Sequence, residues 1–412
     1  MKILHTADWH LGDRLGRIDR TADLRHAVEH IAALCEQERV EVLLMAGDLF
    51  SELSRTDGLR DSIEHLRQVF TPFLVNGGTV LAVTGNHDNE VFCQTLRHAM
   101  ELAAPDGARR LAPVPPGRFY LAAGPTLLRL ADRSGQVVQF LLMPYPTPPR
   151  YLDGAAQQYG NLEEKNRALK GAYAAKVQGL LDRGREDAPR LPTVLAAHIH
   201  LQGGGLPSLF RMAERESIVF TAADVPDGLA YVALGHIHKA GCPLGETSPH
   251  VRYCGSIERL DLGERHDAKG CYLLEVDGGG LRGEPAFLPL EATPMYDLDI
   301  VNPREELPRL RERFPDAERA LVRYRLVWTA GVDDREAVLR ELQDIFPRWY
   351  EREVREANAL GDTLTAPQTV TPHRGFRETV RDYLQNELMN HPDGERDAIL
   401  GLAEALLEEE PA

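Results

Sequence analysis

A chain of 412 residues, 43% hydrophobic and 27% charged, carries enough apolar material for two or three domains with buried cores, which excludes whole-chain disorder. Its five cysteines (Cys35, Cys93, Cys242, Cys254, Cys271) are odd in number and form no CxxC pair; they exclude a disulfide scaffold and fit a reducing compartment. With 47 basic against 63 acidic residues the net charge is −16, the wrong sign for a broad nucleic-acid-binding surface, so a phosphate-bearing partner has to be met through a local patch or a bound cation.

The N-terminus, MKILHTADWH, has no apolar signal segment, and no apolar run approaches the roughly 20 residues that span a bilayer. The expectation is a cytoplasmic protein with no membrane contact. Short apolar runs at 2–7 (KILHTA), 41–46 (EVLLMA), 79–84 (TVLAVT), 137–143 (VVQFLLM), 193–197 (TVLAA) and 231–234 (YVAL) predict strands buried on both faces. Between them Leu24, Val28, Ile31 and Leu34 mark one helical stripe, and Leu59, Ile63, Leu66 and Phe70 another. Alternating strands and helices predict an α/β layered domain over 1–290.

From about Pro294 the pattern becomes β-α-β-α-β, which predicts a small α+β domain at 291–362. The stretch at 363–371 is polar and Pro-containing and reads as a linker. Over 372–412, Phe376, Val380, Leu384 and Leu388 recur every four residues before a His-Pro-Asp-Gly turn, predicting a helical hairpin. Four Arg against ten Asp and Glu give this hairpin a net charge of −6, so it suits docking to a protein better than binding to DNA.

Five of the apolar runs end in metal-binding residue types. They lead into Asp8-Trp9-His10, Gly47-Asp48, Gly85-Asn86-His87-Asp88, His198-Ile199-His200 and Gly235-His236-Ile237-His238. Ligand sites in α/β sheets lie beyond the carboxyl ends of the strands, so these loops are expected to converge. Carboxylate, amide and imidazole donors without thiolate suit manganese, iron or zinc. Seven ligands (Asp8, His10, Asp48, Asn86, His198, His236, His238) suffice for two ions, and two ions about 3.5–4 Å apart can clamp the attacking and leaving oxygens of phosphoryl transfer. His200 is an alternative to His198, and His5 reads as a hydrogen-bonded core histidine. Arg14, Arg17 and Arg20, just after DWHLGD, are candidate phosphate contacts.

These five motifs resemble the signature of the calcineurin-like metallophosphoesterases. The longer strings HTADWHLGD, GDLF, LAVTGNHD, ADVPDGLAYVALGHIHKAG and YCGSIERLDLGE are similar to those of the SbcD nuclease family, over the whole chain. The resemblance implies a layered metallophosphoesterase sandwich, a capping domain and a helical hairpin. It implies two divalent cations, of which manganese is the usual one, held by Asp8, His10, Asp48 and His238 and by Asp48, Asn86, His198 and His236, with Asp48 bridging. It implies that His87 is the catalytic histidine and lets Asp88 orient it. Archaeal and eukaryotic relatives have a further histidine where this chain has Ser51. The family also implies a homodimer, here through Leu59, Ile63, Phe92, Leu96 and Met100, within a heterotetramer. In it the hairpin docks an SbcC-type, SMC-like ATPase, and the DNA nuclease acts as exonuclease and endonuclease.

Overall fold

The computed structural model describes residues 1–104, 112–152, 159–203, 218–245 and 247–357. The linker at 363–371 and the hairpin, with Phe376, Val380, Leu384 and Leu388, lie outside them.

Two sheets stack face to face. The first runs Gly280–Pro289, Gly270–Asp277, Lys2–Thr6, Val42–Met45, Thr79–Val83, Phe119–Ala122 across the sheet. The second runs Val251–Tyr253, Tyr231–Gly235, Thr193–His198, Val137–Met143, Thr126–Ala131. The central strands of both are parallel, and only the strands at 270–289 and 126–131 pair antiparallel.

The continuous apolar runs are explained by what covers each face. Ile3, Val42, Leu44, Leu81 and Val83 point inward against Val138, Phe140, Leu142, Val194 and Ala196 of the second sheet. Their neighbours Leu4, Leu43, Met45, Val80 and Ala82 point outward, under the helices Thr21–Gln37 and Thr56–Val75. On the far side Leu141, Leu195, Ala197 and Val232 pack against Leu169, Tyr173, Val177 and Leu181 of the helix Leu162–Asp187. With helices outside both sheets the central strands leave no face to water, so alternation in space leaves no alternation in their polarity. The result is an α/β/β/α sandwich.

Over the segment expected to form the small domain, the β-α-β-α-β order of elements is present: strand Met295–Ile300, helix Pro303–Arg313, strand Leu321–Trp328, helix Arg335–Ile345, strand Trp349–Glu356. One sheet face buries Ile300, Val322, Tyr324 and Leu326 under Leu307, Leu310, Leu342 and Phe346. Asp297, Asp299, Arg323 and Arg325 form a ladder of ion pairs on the other. Residues Met1–Trp328 and Asp333–Arg355 make up one compact unit. Among the described residues no helix is long and apolar enough to cross a membrane.

Candidate metal centre

Because the central strands are parallel, their carboxyl ends share one edge, and the five motif loops meet there. Backbone bonds tie them together before any side chain is considered. Asp8 N donates to the Gly47 carbonyl at 3.0 Å, and Trp9 N and His10 N donate to the Asp48 carbonyl at 2.8 and 3.0 Å. His236 N donates to Asp8 Oδ1 at 3.0 Å and His87 N to Asp48 Oδ1 at 2.9 Å. Asp8, His10, Asp48 and His236 all have positive φ (52°, 46°, 53° and 97°). Each such residue costs about 1–3 kcal/mol and persists only where its surroundings over-determine it. The strain is concentrated on the residues that converge.

Asp8, His10 and His238 bring one ligand atom each to within 4.8 Å of the others, and so do Asp8, Asp48 and His198. Asp48 Oδ2 lies between these groups, 3.5 Å from His10 Nε2 and 3.3 Å from His198 Nε2. Asn86 Oδ1 is 2.9 Å from His198 Nε2 and 3.0 Å from His236 Nδ1. His198 donates its Nδ1–H to the Ala46 carbonyl at 2.8 Å, which leaves Nε2 facing the cluster. The donors are oxygen and imidazole, and all except the partly accessible Asn86 belong to buried residues. Among the described residues, the buried Nε2 atoms of His236 and His87 have no hydrogen-bond partner. Such a donor set fits a pair of borderline-hard divalent cations.

Charge follows this packing. Burial disfavours an ionised Asp48, but the His198 charge and hydrogen bond outweigh it and hold the carboxyl well below its ordinary value. Burial likewise opposes charge on His198, yet Asp48 and Asp8 lift it to about 9. Burial, with His198 alongside, holds His236 well below its usual value.

A family model described as calcineurin-like phosphoesterase matches residues 1–240. The chain is 31% identical over 314 residues to the SbcD component of the SbcCD nuclease of Rhodobacter capsulatus, covering 72% of this chain and 71% of that one. The chain belongs to the calcineurin-like phosphoesterases, in their SbcD family. It is also 24% identical to the SbcD component of the Bacillus subtilis SbcCD nuclease, covering 86% of this chain and 93% of the relative. Identity to the DNA double-strand break repair protein Mre11 of Aeropyrum pernix is 27%, over 73% of this chain and 63% of that protein.

His87 has 4% side-chain exposure and its ring lies 4.9 Å from that of His10. A cleft of about 250 Å³ opens beside it, bounded by Glu52, Leu59 and Asn89. Asp88 does not orient the His87 ring. Its carboxylate accepts from the backbone N–H groups of Gly85, Leu49 and Phe50 at 2.8, 3.2 and 2.8 Å, pinning the third loop to the second. Burial and then Asp48 raise its pKa to about 6. Glu52 brings a carboxylate to the His87 ring, with Oε2 3.4 Å from Nδ1, while an Asp48 carboxylate oxygen lies within 4.8 Å of a ring nitrogen. Ser51 is buried and donates to Asp13 Oδ1 at 2.9 Å.

Arg20 leaves the set of phosphate contacts. It is fully buried; its guanidinium donates to Asp23 at 2.6 Å, to the Arg259 carbonyl at 2.7 Å and to Glu258 at 2.5 Å. Arg17 lies 4.4 Å over the Trp349 ring and donates to the Pro347 and Trp349 carbonyls, so it fastens this loop to the cap. Arg14 remains half exposed beside Asp19. His5 is fully buried, with Nδ1 3.0 Å from Tyr231 Oη, and burial pushes it down to about 3. His200 is half-buried, its ring 6.0 Å from that of His236 and outside the ligand groups above. Leu59, Ile63, Phe92, Leu96 and Met100 pack partly buried against the first sheet's helical layer.

Two neighbours escaped the sequence reading. Tyr145 follows the one central strand whose end carries no ligand, and its ring lies 5.7 Å from His236 and 6.1 Å from His198. Glu264 Oε1 is 2.8 Å from His238 Nδ1. The string YCGSIERLDLGE contains Glu264, but nothing local to that string points to a histidine 26 residues earlier.

Proposed function

We propose that the protein is the nuclease subunit of an SbcC–SbcD-type complex. It hydrolyses DNA phosphodiester bonds as a double-strand exonuclease and a single-strand and hairpin endonuclease, in end and hairpin processing during repair, recombination and replication. The observation that carries this reading is the meeting of Asp8, His10, Asp48, Asn86, His198, His236 and His238 at one edge of two stacked sheets.

Asp8, His10, Asp48 and His238 hold one divalent cation and Asp48, Asn86, His198 and His236 the other, with Asp48 shared; manganese is the proposed metal. When bound, the two ions supply positive charge at the scissile phosphate and lower the pKa of an attacking water. The chain's own groups do the rest. His87, whose Nε2 has no hydrogen-bond partner among the described residues, donates a proton to the departing oxygen. Asp88 holds the His87 loop against the Asp48 loop. The ligand set addresses phosphate, which carries no sequence information, so cleavage is not sequence-specific. A local cation site also reconciles a DNA substrate with a net charge of −16.

The proposed partners are an SbcC-type, SMC-like ATPase, docked by Phe376, Val380, Leu384 and Leu388, and a second copy of the chain through Leu59, Ile63, Phe92, Leu96 and Met100, together a heterotetramer. Its place of work is the cytoplasm, in keeping with five free thiols. The competing reading is a phosphoesterase for phosphoproteins or small phosphodiesters. Digestion of a labelled hairpin duplex with manganese, with and without the ATPase and ATP, decides. Manganese-dependent cutting that His87→Gln abolishes supports the nuclease; turnover of bis-p-nitrophenyl phosphate with intact DNA overturns it.

A further inference from the structure

We propose that Glu264 is a positioning residue for His238 and selectively tightens one of the two metal positions. The proposal rests on the two-cation reading above and adds a residue to it.

Glu264 ends a single 3₁₀ turn, Leu262–Glu264, which is capped by the Asp261 side chain accepting from Gly263 N at 2.7 Å. The turn carries the carboxylate inward, where Glu264 is 3% exposed. Oε1 accepts from His238 Nδ1 at 2.8 Å. Oε2 accepts from Lys269 Nζ at 2.6 Å, Ser256 Oγ at 3.0 Å and Leu260 N at 3.2 Å. Lys269, itself 2% exposed, also donates to the His238 carbonyl at 2.9 Å and to Ser256 Oγ at 2.7 Å. A buried carboxylate is tolerated only when paired and saturated with donors; here His238, Lys269 and Leu260 N donate to it, beside a Ser256 hydroxyl whose one proton is shared with the Glu258 carbonyl 2.8 Å away. The lysine therefore grips both the carboxylate and the backbone of the histidine that the carboxylate orients.

The consequence for His238 is geometric. With its Nδ1–H committed to Glu264, Nε2 is the nitrogen left for Asp8 and His10, the two residues whose ligand atoms lie within 4.8 Å of its own. A carboxylate behind a ligand histidine fixes the ring and raises its basicity. The other position is built differently. His198 donates to a neutral carbonyl, that of Ala46. His236 turns Nδ1 toward Asn86, and among the described residues its buried Nε2 has no partner to support it. Negative charge behind the ligands is thus supplied at His238 and withheld at His198 and His236.

The test titrates manganese into the metal-stripped full chain by calorimetry, for wild type, Glu264→Gln, His238→Ala and the double variant. Wild type binds two ions. Glu264→Gln weakens one of them by about 10–100-fold and leaves the other unchanged. Combined with His238→Ala, Glu264→Gln adds nothing further at that position. Because Glu264→Gln strands a buried lysine, Glu264→Gln with Lys269→Met provides the charge-balanced control and shows the same one-site loss. Equal weakening of both sites, no weakening, a full additional loss in the His238→Ala background, or wild-type affinity in the charge-balanced variant overturns the proposal. A wild-type chain that fails to bind two ions overturns the two-cation reading itself, and this proposal with it; the Glu264 comparison fails alone only when wild type binds both.

Discussion

Gly85 lies so close to Asp48 that a Cβ built on the glycine would sit 2.0 Å from Asp48 Oδ1. The same carboxylate accepts from His87 N and faces His10 and His198 with its other oxygen. The glycine of the GNHD loop is therefore required by the carboxylate of the GD loop. Gly85→Ala is expected to push Asp48 out of register, destabilise the fold by about 1–3 kcal/mol as overpacking does, and weaken both manganese sites. Calorimetric titration and a thermal melt measure the two effects; unchanged metal binding would show that Asp48 can shift at no cost to the site.

His87→Gln is expected to retain both metals and lose cleavage by about 10²–10⁴-fold, the usual loss for one general acid. His87 does lie in a ligand-like group with His10 and Asp48, so metal content is the discriminating measurement. Loss of one equivalent from the purified variant would make His87 a ligand.

Asp48→Asn and His238→Ala are expected to differ in kind. Asp48 Oδ2 faces a histidine from each proposed set, so removing its charge weakens both sites, each by roughly tenfold or more, about 1.4 kcal/mol. His238→Ala weakens one. A full-affinity site surviving in Asp48→Asn would exclude a bridging role.

The segment 295–356 is fastened to the first helix through Asp23, whose Oδ2 accepts from Arg20 at 2.6 Å and from Arg348 at 2.5 Å. Burial opposes its ionisation, but the Arg348 hydrogen bond and the Arg20 charge hold the carboxyl below its ordinary value of 3.8. A carboxyl depressed in the folded state stabilises above the unfolded pKa and ceases to as pH falls through the folded one. The melting-temperature deficit of Asp23→Asn should therefore be constant from neutral pH down to about pH 5 and shrink as pH falls below 3.8. A deficit that grows on acidification has the wrong sign and removes the tether from the explanation.

Glu258→Ala is the harsher test of the same junction. It leaves the fully buried Arg20 without its closest carboxylate, and breaking such a pair costs about 3–5 kcal/mol. Chemical denaturation measures it; a loss near zero would mean that Asp23 alone balances Arg20.

The sequence by itself determined six of the buried strands, the edge they share and the motif residues that gather there, because each of these is written in contiguous residues. An all-apolar run reports two covered faces, and a motif at its end reports the edge where parallel strands stop. The β-α-β-α-β order of the cap was legible for the same reason. The antiparallel hairpin Gly270–Asp277 and Gly280–Pro289 was not, since its strands are polar on the exposed face and carry no motif. Only the tertiary structure decided which charge meets which partner. Asp88, adjacent to His87 in sequence, turns to the backbone of residues 49, 50 and 85, while Glu264 reaches His238 across 26 residues. Arg20 sits among exposed arginines in sequence and is buried in space, because Asp23 lies one helical turn away and Glu258 arrives from 238 residues along the chain. A ligand's identity is a property of one loop, but its hydrogen-bond partner depends on how remote segments pack, and that information is absent from any single stretch of the chain.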